Sequence, residues 1–285
     1  MKTRGRRKCQ SCGAHWSYYE TGVIECPDCG SLQSVGVGDR ALHTDTPVTL
    51  DLSVHRASLG DASITLSDDR ISELKSTLRE YLRKRGFIRG GELCPLDATY
   101  LAGRELLEAI DCYDRLRSPT DRDREYLLCL LAGVDDGDRP PTERVPDSLR
   151  EARGMAAVHA VNEYRNDLLA FLDELASSEH NKSEHNKSEQ PNRDADRTED
   201  AATTGSSAAM VSVSGDDVAT RIDPARTLLE RLRDRSKRAE ALTGDIPPSD
   251  ADALTEAVDA IGEYVRTGES SALERAKKQL AGEAE

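Results

Sequence analysis

Aromatic side chains are scarce in this sequence: they make up 4% of its 285 residues, with one Trp and two Phe. Together with a hydrophobic fraction of 37%, that scarcity excludes one large core running the length of the chain and predicts modest cores joined by solvated segments. Long apolar runs are missing as well. No stretch of about eighteen or more apolar residues occurs, and the basic start MKTRGRRK leads into a cysteine pair rather than an apolar segment. The expectation is a cytoplasmic protein that neither spans a membrane nor carries an export signal. A phosphate-cradling loop is also missing, because Gly86 and Gly90-Gly91 lack the preceding strand and the Lys-Ser/Thr that such a loop needs. Lysine is rare: nine Lys stand beside thirty Arg, against 53 acidic residues, for a formal net charge of -14. That balance keeps proteins soluble in high salt and predicts a halophilic, archaeal source. It also excludes a surface that grips nucleic acid all over, since phosphate neutralisation needs cations in excess, so any such contact has to be local.

Seven Cys is an odd number, and four of them stand in two CxxC pairs, Cys9-Gln-Ser-Cys12-Gly13 and Cys26-Pro-Asp-Cys29-Gly30, with thirteen residues between. In a reducing compartment this spacing reads as metal binding rather than disulfides. Each short turn lets two thiolates reach one ion, and the following Gly relieves crowding where backbone amides turn toward sulfur. The reading is one structural Zn2+ held by Cys9, Cys12, Cys26 and Cys29, with four protein ligands and no open position for catalysis. Cys94, Cys112 and Cys129 fall on or near apolar helical stretches and read as small core residues.

The segment CQSCGAHWSYYETGVIECPDCGSL, and above all its ETGVIECPDCG half, resembles the zinc ribbons of archaeal transcription factor B and of small RNA polymerase subunits. It is similar also to the rubredoxin-like tail of rubrerythrins, but no Glu-x-x-His pair occurs in residues 68 to 178, so the di-iron ligands that this second likeness implies are missing. Taken whole, the chain resembles haloarchaeal zinc-ribbon proteins, a resemblance that carries no activity with it.

Lys2, Arg4, Arg6, Arg7 and Lys8 precede the first ligand, and His15, Trp16, Tyr18 and Tyr19 follow the first pair. Cations beside aromatic rings suit phosphate contact and base stacking. Arg4, Arg6, Arg7, Lys8, His15, Trp16 and Tyr18 are therefore the candidate contact surface for nucleic acid or for a protein of the transcription machinery. Trp and Tyr are equally what a small ribbon uses as its core.

Val48, Leu50, Leu52 and Val54 alternate with polar residues, as do Ala62, Ile64 and Leu66, and Gly60-Asp61 between them predicts a short β-hairpin over 47–66. From Ser67 the period becomes helical. Helices are expected over 68–85, 96–117, 119–132 (opened by Ser118-Pro119, with Tyr126 to Leu131 apolar all round, hence central) and 147–177. EHNKS at 179–183 repeats at 184–188, and the polar, acidic stretch that follows has too little to bury to offset its ordering entropy. Asp223-Pro224, Ser249 and either Ser270 or Ser271 open three further helices. The expected organisation is a zinc ribbon over 1–45, a β-hairpin and four-helix bundle over 46–178, a disordered linker over 179–215 and a small C-terminal helical module over 216–285, mainly α throughout.

His159 with Asn162, Glu163 and Asn166 is the nearest approach to a polar constellation and holds no nucleophile at a telling spacing. The sequence therefore predicts a non-enzymatic zinc-ribbon recognition protein acting around transcription or another nucleic-acid process. A protein–protein scaffold capped by a purely structural ribbon is the alternative, and an enzyme with an accessory ribbon the third reading.

Overall fold

The basic N-terminus is a strand. In the computed structural model, which describes residues 1–59, 68–188 and 215–281, β1 (Lys2–Cys9) lies at the centre of a three-stranded antiparallel sheet between β2 (His15–Ser17) and β3 (Ser34–Leu42). A one-turn helix, α1 (Tyr18–Thr21), leaves β2. Lys2, Arg4, Arg6 and Lys8 are exposed while Gly5 and Cys9 are buried, the period of two that a strand with one covered face requires. The cations that precede the first ligand are thus part of the ribbon sheet itself.

The predicted hairpin over 47–66 is also corrected. Residues 46–52 belong to no strand, and Ser53–Leu59 form helix α2; 60–67, where its second strand was expected, lie outside the described residues. Leu50 and Leu52 are buried at 4% and 0% exposure and Val54 stands out at 75%. The alternation is real, but its buried side meets helices rather than a strand.

Helix α3 (Asp68–Lys84) buries Leu74, Leu78, Tyr81 and Leu82, spaced i, i+4, i+7 and i+8 along one face. A two-residue hairpin, β4 (Ile88–Arg89) and β5 (Glu92–Leu93), follows. Helix α4 (Ala98–Arg115) is capped by Asp97, whose carboxylate accepts from the amide of Thr99 at 2.9 Å. Helix α5 (Asp121–Gly133) starts two residues later than Ser118-Pro119 suggested, because Thr120 and Asp123 form a reciprocal capping box. Its apolar run does not make it central: Leu128 remains 43% exposed. The central element is α6 (Arg150–Ser188), which packs on α4 at one side and on α7 (Gly215–Ala241) and α8 (Pro248–Thr267) at another. Val158, Val161, Tyr164, Leu168 and Leu172 are its buried row.

Two boundaries change. Helix α6 continues through 179–188, where a disordered linker was expected; 189–214, the rest of that expected linker, lie outside the described residues. Helix α7 begins before Asp223 and carries Pro224 inside it, so one rung of its hydrogen-bond ladder is absent there. The C-terminal helices, completed by α9 (Ser270–Ala281), do not form a separate module. Leu228, Leu229, Leu254, Val258 and Ile261 share one core with Tyr164 and Leu168 of α6, because each helix carries a single apolar stripe that needs a partner.

That core includes a backbone-to-backbone contact. A Cβ on Gly154 of α6 would sit 2.0 Å from the carbonyl oxygen of Gly244 in the α7–α8 turn, where Gly244 has φ +80°. Gly154→Ala should therefore destabilise the protein by about 1–3 kcal/mol through overpacking, even though Ala favours the helix by about 1 kcal/mol. A lower midpoint in urea at unchanged slope checks this, and a raised midpoint would show that the turn moves away freely.

Candidate metal centre

Two knuckles built alike hold the four cysteines. In the first, the amide of Cys9 donates to Ala14 O at 2.8 Å and that of Gly13 to Cys9 O at 3.1 Å; in the second, Cys26 donates to Ser31 O at 3.0 Å and Gly30 to Cys26 O at 2.9 Å. Gly13 and Gly30 adopt φ of 81° and 70°, the left-handed turn that a side chain would strain. The amide of Gln10 reaches Gln33 O at 2.8 Å and the hydroxyls of Ser11 and Ser31 lie 2.9 Å apart, which binds one knuckle to the other.

The thiol sulfurs converge. Cys9 Sγ and Cys29 Sγ are 3.7 Å apart, Cys12 Sγ and Cys26 Sγ 3.6 Å, and all four lie within 4.8 Å of one another. Thiolates at about 2.3 Å around one tetrahedral ion sit roughly 3.8 Å apart, so the donor set fits a single four-coordinate metal without rearrangement. Cys9 and Cys26 are buried, and Cys12 and Cys29 face outward. The backbone amide of Cys12, followed by that of Ser11, draws the Cys9 thiol down to about 6 despite its burial. For Cys12 the Ala14 amide pulls downward, but the crowding thiols of Cys29 and Cys26 prevail and push it up to about 12. Without a cation among them the four cannot all ionise, and a dication supplies the missing charge.

The ribbon is fastened to the helices through residues that sequence reasoning missed. His43 is buried, its ring 4.6 Å from Tyr19 and 5.8 Å from Tyr18. Asp45, 1% exposed, accepts from Arg85 Nη1 at 2.9 Å and Arg89 Nε at 3.0 Å. Asp167 of α6 accepts from Thr44 Oγ1 at 2.6 Å and from the amide of Phe87 at 2.7 Å. In sequence these carboxylates look like any of the many acidic residues; only their burial distinguishes them.

The candidate contact residues are split by the sheet. Lys8 pairs with His15 and Arg6 with Ser17, so Arg6, Lys8 and His15 share a face, whereas Arg7 pairs with Trp16 on the other. Arg7 is half-buried and donates to Ser34 Oγ at 3.0 Å. Trp16 donates its indole N–H to Val23 O at 2.9 Å, and Tyr18 leans on His43. Arg4 lies beyond a bulge, opposite Arg40 of β3, a cation that no sequence motif marked and that only the register brings to this surface.

Elsewhere the polar clusters are closed on themselves. His159 Nε2 stands 3.5 Å from Glu108, whose carboxyl burial pushes up, and Ser236 Oγ donates to Asn162 at 3.3 Å. Lys75 bridges Asp111 and Asp114. Among the described residues no helix is long and apolar enough to cross a membrane.

A family model described as "Family of unknown function (DUF7117)" matches residues 1–212 and 200–280. No curated protein and no solved structure matches the chain. With the match spanning nearly all of the chain, this four-cysteine helical protein belongs to the DUF7117 family.

Proposed function

We propose that the protein is a non-catalytic, cytoplasmic recognition factor whose zinc-bound ribbon contacts nucleic acid through its exposed cations. One observation carries this reading. Arg4, Arg6, Lys8 and Arg40 are exposed on the ribbon sheet and form no ion pair among the described residues, in a chain whose net charge is -14. In the helical part carboxylates match some arginines, as Asp45 does Arg85 and Asp252 does Arg153, and leave others such as Arg83, Arg117 and Arg124 without an ion pair among the described residues. Four such cations set side by side on paired strands of one small sheet suit a polyanion, whose binding gains by releasing counterions. Zinc is the ion that four thiolates in closed tetrahedral array favour, and free thiols belong in a reducing compartment. The likeness of ETGVIECPDCG to transcription factor B ribbons supports a place near transcription, and the Arg-rich acidic composition supports a haloarchaeal source.

The triple variant Arg4→Ala/Arg6→Ala/Lys8→Ala tests the reading. Its salt slope on duplex DNA should fall by about 0.9 for each phosphate that the variant no longer neutralises, with metal content and helicity unchanged. Arg7 is left out because it braces Ser34. Equal affinity and slope in wild type and variant, read by fluorescence anisotropy over a KCl series, would abandon the nucleic-acid reading.

A protein-docking scaffold is the second reading, favoured by Val23, Ile24, Leu32 and Val35, which stand 48%, 51%, 73% and 39% exposed on the same ribbon. Apolar side chains held outward on so small a unit suit a protein partner. Binding to a partner with little salt dependence is its expected signature.

A further inference from the structure

Between Trp16 and the second knuckle lies a groove of about 340 Å³, lined by Trp16, Thr21, Val23, Glu25, Pro27 and Gly30 together with Cys26 of the knuckle itself. We propose that it is a nucleobase slot, in which one unpaired base of a single strand stacks on Trp16 and turns its amino edge to Glu25. The inference rests on the nucleic-acid reading above and adds the form of the ligand.

The floor of the groove is prepared for stacking. Trp16 is half-buried and its one polar atom is already committed to Val23 O, so the indole offers a ring face and no donor. The loop carrying Val23 is braced in turn: Thr21 Oγ1 donates to Ser17 O at 2.9 Å and accepts from the amide of Val23 at 3.3 Å. A ring held in place costs little further entropy when a ligand stacks on it. The volume stands at the lower end of small-ligand sites, which suits one heterocycle.

Glu25 supplies selectivity. It is exposed, forms no ion pair among the described residues, and its Oε1 lies 3.4 Å from where a Cβ on Gly30 would be. A carboxylate only accepts, so it favours bases presenting an exocyclic amino group, cytosine foremost, over thymine or uracil.

Strand β2 joins slot and cations. It is one of the two edge strands of the sheet, and its neighbouring residues His15 and Trp16 point to opposite faces. A phosphate backbone on the Arg6, Lys8 and His15 face can therefore pass over this short edge and drop one base onto Trp16. A duplex cannot, because its bases are stacked inside.

Trp16 is the one tryptophan of the chain, so its emission reports the slot directly. The full-length, zinc-loaded protein is titrated with fluorescein-labelled dC8, dT8 and an eight-base-pair duplex, following anisotropy and tryptophan emission together. The expected result is quenching by dC8, about tenfold preference of dC8 over dT8, the worth of one hydrogen bond to a charged acceptor, and loss of that preference in Glu25→Gln. Trp16→Ala should weaken dC8 binding roughly 5- to 150-fold, one base stacked on one aromatic ring, while Trp16→Phe keeps most of the affinity. Because Trp16→Ala also removes the indole's hydrogen bond to Val23, its zinc content is measured, and the wild-type quench and Glu25→Gln stand independently of it. Binding of dC8 by anisotropy with unchanged emission and no base preference overturns the slot and leaves the nucleic-acid reading standing. No binding of any oligonucleotide overturns both, and quenching by a proline-rich peptide in that case assigns the groove to a protein.

Discussion

Cys26→Ser will empty the metal site and unfold residues 1–42 while helices α3 to α9 stay folded. The ribbon has almost nothing else to hold it: before Leu50, the buried apolar residues are Cys9 at 1% and Cys26 at 2% exposure, both of them ligands. Structural zinc sites contribute about 10–16 kcal/mol of apparent binding free energy at neutral pH, and that energy is folding energy where no core exists to replace it. The helical part has its own core, from Leu74 through Ile261, so unfolding of residues 1–42 costs it surface contacts such as the Lys2–Glu174 ion pair, the Gly91 amide on Leu42 O and the packing of Tyr19 against His43 and Gly90. Elemental analysis should find one equivalent of zinc in the wild type and none in the variant. Amide exchange should accelerate over 1–42, and the far-ultraviolet helical signal should persist. A variant that keeps its metal, or loses its helices with it, would overturn this account, and iron in the wild type would replace zinc as the ion.

Glu105→Ala should lower stability by about 3–5 kcal/mol, the usual cost of leaving a buried partner charge uncompensated. Glu105 is fully buried on α4, and Arg153 of α6 is 4% exposed. Arg153 Nη1 donates to Glu105 at 3.1 Å and Arg153 Nη2 to Asp252 of α8 at 2.6 Å, while Arg139 joins the same two carboxylates at 2.5 and 2.8 Å. The Tyr126 hydroxyl also donates to Glu105, and burial, then the Glu105 charge, raise its phenol so that it keeps its proton. Removing Glu105 strands the Arg153 guanidinium between helices with one carboxylate on its far side. The double variant Glu105→Leu/Arg153→Met should recover most of the loss, since it removes both buried charges and leaves Arg139 paired with Asp252. Urea unfolding of the three proteins decides it: a single variant within 1 kcal/mol of wild type would mean that water reaches the network.

What could be read beforehand follows from how far apart the determining residues lie. The convergence of Cys9, Cys12, Cys26 and Cys29 was legible because a CxxC turn, its following Gly and a second copy form a local motif whose chemistry does not depend on the rest of the chain. Helices α3, α4 and α6 were legible through their apolar stripes, as with Leu74, Leu78 and Leu82. The run Val48 to Leu52 was mistaken for half a hairpin because period two records only that one side is covered, not by what.

The sequence by itself thus determined the four-cysteine cluster, the mainly helical class and the buried faces of α3, α4 and α6, all of them set by residues within a few turns of one another. The tertiary structure alone decided that the C-terminal helices join the main core, that β1 turns Arg6 and Lys8 one way and Arg7 the other, and that Arg40 comes to lie opposite Arg4. It alone decided, too, which acidic residues are structural. Asp45, Glu105 and Asp167 differ from their solvated counterparts only in the partners that folding brings from distant segments, and a carboxylate's cost or worth is set by its burial and those partners rather than by its neighbours in the chain.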